Sequence, residues 1–201
     1  MLGTAADGSS VWTLAGNASH GSATVNPDGS YTYTPSAGFH GSDSFSYTVT
    51  DAAGSSSTAT VTVTVTAVAP VVAPDTIAAQ ENTPVSGNLA ANDTPVAGET
   101  NTWSVSTAAS HGSVIVNPDG TFTYTPATGY SGPDSFSYTV TDASGQSSTA
   151  TVTLSVSAQA ITATNDAASG SENGSLSGSA AGDATQVAGD PNTFTLGTGP
   201  A

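Results

Sequence analysis

In two short stretches of the chain, apolar and hydroxyl side chains alternate one for one. Along "TFTYTP" (121–126), Phe122 and Tyr124 share one face, and Thr121, Thr123 and Thr125 take the other. Along 134–141, Phe136, Tyr138 and Val140 oppose Ser135, Ser137, Thr139 and Thr141. Successive side chains of an extended strand point to opposite faces, so each stretch reads as a strand with one buried side. "STATVTLSV" (148–156) repeats the pattern, with Ala150, Val152, Leu154 and Val156 inward. No helical period of useful length competes. Turn chemistry separates these runs. In "NPDG" (117–120) proline presets φ and glycine takes the left-handed position after it, and "DASG" (142–145) turns the chain again. The pattern predicts strands A to G near 75–80, 84–91, 101–107, 112–117, 121–126, 134–141 and 148–157. Seven short strands in about 90 residues suit an all-β, immunoglobulin-like Greek-key sandwich.

The same text occurs twice. Ser110–Pro126 reads "SHGSVIVNPDGTFTYTP", and Ser19–Pro35, 91 residues earlier, reads "SHGSATVNPDGSYTYTP". Trp12 and Trp103, Asp43 and Asp134, and Asp51 and Asp142 keep the spacing. So do Asp75 and Asp166, and Glu81 and Glu172. A fixed period of this kind is the mark of tandem modules. Residues 71–160 are expected to form a complete repeat. Residues 1–70 would supply strands C to G without A and B. Residues 161–201 would supply A, B and a C-like strand around "NTFTL".

Composition narrows the function classes. The 201 residues include 15 acidic side chains, no Lys, no Arg and no Cys, for a formal net charge of -15. No basic patch can form, which excludes nucleic acid and anionic lipid as partners. No apolar run is long enough to span a membrane. Residues 1–20 show no signal-peptide pattern. There is no disulfide framework and no Lys–Asn cross-link. His20 and His111 precede glycine at the C–D bend and read as turn or packing residues. Trp12 and Trp103 on strand C read as core. A catalytic role is not expected, because nothing in the period forms a cleft and no G-x-S-x-G elbow occurs.

Three stretches carry a family resemblance: "APDTIAAQENTPVSGNLAANDT", the "NPDG.[FY]TYTP" hairpin and the "G.DSFSYTVTD" strand. Together they resemble the tandem bacterial Ig-like, cadherin-like repeats of large adhesins, the VCBS and RTX-adhesin extender type. The resemblance covers essentially the whole chain. It implies extracellular or cell-surface modules without catalysis, often stiffened by Ca2+ at the junctions of successive domains.

The acids fall mainly in loops. Glu81, Asp134 and Asp166 are expected near one junction, and Asp43, Asp75, Asp93 and Asp142 around the other. Clustered carboxylates with no Lys or Arg to relieve them fit a divalent cation held by hard oxygen ligands, and fit solubility equally well. The resemblance favours calcium. The leading reading is a structural spacer of an adhesin or surface filament, whose partners are neighbouring repeats or other copies of itself. A second reading is a filament subunit, joined head to tail as residues 161–201 donate strands to the incomplete sandwich 1–70 of the next molecule. A third, glycan binding on a threonine-rich face such as "TATVTVTVT" (58–66), has ordinary strand chemistry against it.

Overall fold

The computed structural model describes residues 10–180, 184–189, 191, 193–195 and 197. Among these residues the named elements are twelve β-strands and one short 3-10 turn. The chain divides into two compact units. Unit 1 is Met1–Val71 with Thr94–Asn101 and Thr141–Ser148; unit 2 is Val72–Asp93, Thr102–Val140 and Thr149–Ala201.

Unit 2 is built on two facing sheets. One orders β6 (Asp75–Gln80), β12 (Ser147–Ser157), β11 (Gly132–Thr141) and β8 (Thr102–Thr107) as β6-β12-β11-β8. The other is β7-β10-β9, from β7 (Val85–Asn88), β10 (Thr121–Pro126) and β9 (Gly112–Val116). The 3-10 turn Leu89–Ala91 follows β7 and is capped by the Asn88 side chain on the Ala90 N–H. β6 lies parallel to β12, from Val152 opposite Asp75 to Ser157 opposite Gln80.

The alternation read from the sequence is the alternation of burial. Phe122, Tyr124, Phe136, Tyr138, Val140, Val152, Leu154 and Val156 form the core, with Leu89 and Trp103. Phe122 and Phe136 meet across the two sheets with ring centroids 6.0 Å apart. Thr and Ser line the outer face, where Thr139 and Thr149 bond side chain to side chain at 2.8 Å. The "NPDG" hairpin closes as expected. Gly120 N–H donates to the Asn117 carbonyl at 2.9 Å, and Gly120 holds φ at 85°, a region a side chain would strain.

Unit 1 repeats the later strands: β1 (Val11–Gly16), β2 (Gly21–Val25), β3 (Tyr31–Pro35), β4 (Gly41–Thr50) and β5 (Ser56–Val65). They form a three-stranded sheet β1-β4-β5 and a two-stranded sheet β2-β3. Its interior is shallower. Phe45 is buried, but Val61, Val63 and Val65 are half-buried where their counterparts in β12 are fully buried.

Residues 161–201 contain no strand among those described, only an isolated bridge from Ala163 to Ala184. Among the described residues the expected strands A and B of a third repeat are not formed, and the end of the expected strand B, at 181–182, lies outside them. Part of "NTFTL" lies outside the described residues. The segment offers little apolar surface to anchor a strand: Ala168 stands where β6 has Ile77, and Gly170 where it has Ala79.

Candidate functional site

The chemistry-bearing residues of the repeated sentence converge on one carboxylate. Asp134, at the start of β11, is 7% exposed. Its Oδ1 accepts the backbone N–H groups of Ser110 (3.1 Å) and Ser135 (2.9 Å). Its Oδ2 accepts the His111 N–H (3.0 Å) and the Tyr124 hydroxyl (2.8 Å). The His111 ring stacks on Tyr130 at 4.2 Å, with Nδ1 3.6 Å from Asp134 Oδ1. Unit 1 builds the same arrangement. Asp43 accepts Ser19, His20 and Ser44 N–H groups and the Tyr33 hydroxyl, and His20 stacks on Phe39.

Burial by itself would raise the pKa of these aspartates, and the converging donors outweigh it. Asp134 is lowered by Tyr124 and the N–H groups of Ser135, His111 and Ser110. Asp43 is lowered to about 2 by His20, Ser44, Ser19 and Tyr33. Tyr124 is pushed up, first by burial and then by its bond to Asp134, so it stays a donor. Each carboxylate therefore acts as an anionic clasp that ties the C–D bend and strand E to the start of strand F.

The other expected site residues are placed as follows. Asp93 accepts the Ala73 N–H (3.0 Å), the Tyr138 hydroxyl (2.9 Å) and the Trp103 indole N–H (2.8 Å). Asp75 lies in the same neighbourhood. Burial raises its pKa, Tyr138 partly opposes that, and the Asp93 charge raises it further. One Asp75 oxygen, Oδ2, is buried without a donor. Glu81 is fully buried, and its Oε2 accepts the Gln159 N–H at 3.1 Å. Asp166 is exposed and accepts the Ala167 N–H. In unit 1, Asp142 caps its own turn, with Oδ1 accepting the Ser144 hydroxyl and the Gln146 N–H. Asp142 Oδ2 is also buried without a donor. Glu99, not among the expected ligands, accepts the Ser144 N–H nearby.

Asp75 and Asp93 are thus brought together, whereas Asp43, Asp134, Glu81 and Asp166 each serve separate places. Among the described residues, no three His, Cys, Asp or Glu side chains assemble into a metal-binding group. Asp43, Asp93 and Asp134 already spend their lone pairs on protein donors. Asp75 Oδ2 in unit 2 and Asp142 Oδ2 in unit 1 are the expected site oxygens left without a protein donor.

These shifts give stability a sign with pH. Asp43, Asp134 and Asp142 are lowered when folded, Asp142 by the Ser144 hydroxyl and the Gln146, Ser144 and Gly145 N–H groups against burial. Their contribution is complete above the ordinary aspartate value of 3.8 and is lost as pH falls through the folded values, about 2 for Asp43. Asp75, raised when folded, opposes them: its penalty at neutral pH is relieved on acidification. Asp28 and Asp119 are also lowered, by their bonds to Ser30 and Thr121, so five lowered aspartates against one raised predict a melting temperature that falls steadily from pH 4 toward pH 2, measurable by circular dichroism. A flat profile over that interval would contradict the clasp.

The profile of a family described as a bacterial Ig domain matches residues 1–64 and 67–155. No curated protein sequence matches the chain. Among solved structures, an endo-fucoidan hydrolase of glycoside hydrolase family 107 aligns at 20% identity over 77% of this chain and 24% of its own, with a TM-score of 0.40. The cis-dimer structure of protocadherin gamma B7 aligns at 16% identity over 77% of this chain and 42% of its own, with a TM-score of 0.39. Drosophila N-cadherin aligns at 20% identity over 75% of this chain and 42% of its own, with a TM-score of 0.37. The chain spans about a quarter of the hydrolase and under half of either cadherin.

Proposed function

The chain belongs to the bacterial Ig domain family, and from that membership we propose that it is an extracellular structural module, a spacer that extends a bacterial adhesin or surface filament. One observation carries this most directly. Asp43 and Asp134, the carboxylates at the centre of the repeated constellation, are engaged in holding the C–D bend and strand E to the start of strand F. Catalysis is not part of this reading.

Ca2+ is the finer part of the proposal. A net charge of -15 with no Lys or Arg leaves the acids without an internal counter-charge. Asp75 and Asp142 each hold a buried oxygen with no donor, the chemistry that a hard cation answers. An ion bound at either carboxylate would neutralise it and stiffen the backbone that carries it.

Small-angle scattering on genetically joined copies of the chain, in calcium chloride and in EDTA, tests both parts. The maximum dimension should grow linearly with copy number and shorten when EDTA is added. Growth that saturates would overturn the spacer. Curves identical in calcium and EDTA would overturn the role of the ion.

A second reading, assembly with other copies of the chain, is favoured by a separate observation. The outer edges of β3 and β5 end their sheets in unit 1.

A further inference from the structure

Unit 2 shows what covers such edges. There β6 pairs with the edge of β12, and β7 with the edge of β10. The equivalent strands of unit 1, β5 and β3, have no such neighbour among the described residues. The side chains beneath record the difference. Phe122 is 3% exposed, whereas its counterpart Tyr31 is 40% exposed. An uncovered edge presents a row of backbone donors and acceptors ready to receive a strand.

The same chain carries a segment shaped for that place. Residues 166–180 lie in no strand and are exposed. Asp166, Glu172, Asn173, Ser177 and Gly178 stand 91 residues after Asp75, Glu81, Asn82, Ser86 and Gly87. Leu176 stands at the position of Val85.

We propose that residues 166–180 of a second copy of this chain pair with β5 and β3 of unit 1, as β6 and β7 pair in unit 2. The proposal rests on the self-association reading above and gives it a donor and a register. Transferred from the unit 2 pairing, Asp166–Ser171 runs parallel to Val61–Thr66. Leu176–Ser179 runs antiparallel to Ser30–Tyr33, with Leu176 opposite Tyr33 and Gly178 opposite Tyr31.

Two details favour this register. A Cβ built on Gly87 would sit 2.7 Å from the Phe122 ring, so the aromatic needs glycine opposite it. Gly178 keeps the glycine, although a Cβ there meets nothing within 4 Å in the isolated chain. Glu81 Oε2 accepts the Gln159 N–H, and Glu172 is in register to accept the Val68 N–H in the same way. The donated stretch ends before residue 184, an alanine where unit 2 has Asp93, so it does not supply an acceptor to the buried Trp12 indole N–H. Donor and acceptor are different surfaces of one chain, so the contact propagates head to tail into an open fibre.

The chain has no cysteine, which makes cross-linking a direct test. Thr123 and Ser86 are paired in unit 2 with hydroxyls 2.9 Å apart, so their counterparts Thr32 and Ser177 would come within disulfide reach. The full chain carrying Thr32→Cys and Ser177→Cys should give a ladder of dimers and higher species on a non-reducing gel after mild oxidation. Adding Gly178→Val should abolish the ladder while leaving the melting of both units unchanged. Thr32→Cys with Ser171→Cys, off register, should give none. A monomer band alone, or an intrachain cross-link running ahead of it, overturns the proposal. Light scattering separates the failures: copies that associate without the ladder refute this pairing and leave self-association standing, and a strictly monomeric chain refutes both. Neither result bears on the spacer, which the scattering of joined copies decides.

Discussion

Asp134→Ala is expected to lower the melting temperature of unit 2 by about 12 °C or more. The carboxylate receives four donors: the N–H groups of Ser110, His111 and Ser135 and the Tyr124 hydroxyl. Alanine removes every acceptor at once. Tyr124 is fully buried, so its hydroxyl keeps only the long contact to the His111 carbonyl at 3.4 Å. A buried donor without a partner costs about 1–3 kcal/mol, and a bond to a charged acceptor contributes about 1.5–3 kcal/mol. Even with water reaching the backbone N–H groups, the loss is about 3 kcal/mol, and each kcal/mol moves the melting temperature by about 4–8 °C in a domain of this size.

Two milder variants separate the parts of the clasp. Tyr124→Phe deletes one donor and keeps the carboxylate, for a loss of about 1 kcal/mol. Asp134→Asn keeps one oxygen but points an amide N–H2 at the other donors, so it falls between the two. Fluorescence of a Trp12→Phe chain follows the transition through Trp103 in unit 2 alone. An Asp134→Ala melting point indistinguishable from that of the parent would show that the four bonds are not what holds the bend.

The sequence and the structure agree where the information is local. Alternation at 121–126 and 134–141 gives the strands, because burial on one face is a property of period two. "NPDG" gives its hairpin, because proline and glycine carry their φ preference with them wherever they stand. The role of Asp134 was not legible in the same way. A carboxylate at the mouth of a strand looks the same whether its lone pairs face water, a cation or backbone N–H groups. What decides it is the fold of the C–D bend, 23 residues away. A signal was present: His20 and Asp43 repeat the spacing of His111 and Asp134, and Tyr33 repeats Tyr124. A constellation repeated as a unit points to mutual contact more than to a ligand shell. In 161–201 the polar pattern of a repeat survives while the apolar one fades. Glu172 and Gly178 are kept, but Ile77 has become Ala168, and register without apolar surface forms no strand in the isolated chain.

Gly112→Val should destabilise unit 2, against what strand propensity alone would say. Valine is favoured over glycine in a strand by up to ~1 kcal/mol. Gly112 opens β9 opposite Pro126 and is not held at positive φ, so the backbone itself would accept the change. The space would not. A Cβ at Gly112 would lie 2.6 Å from the Thr125 carbonyl and 2.6 Å from the Tyr124 ring, atoms that cannot give way easily. The carbonyl is fixed in the β9–β10 ladder, and the ring is buried with its hydroxyl on Asp134. Overpacking of this kind costs about 1–3 kcal/mol. Displacing Tyr124 also puts its bond to Asp134 at risk, worth about 1.5–3 kcal/mol. The unfavourable terms exceed the propensity gain, so a net loss of about 2 kcal/mol is expected in chemical denaturation. Gly21 meets Tyr33 and the Thr34 carbonyl in the same way, so Gly21→Val should destabilise unit 1 in parallel. A stabilised Gly112→Val chain would mean that the ring moves freely, and the histidine–glycine bend would then be a turn preference with no part in holding Tyr124 over the clasp.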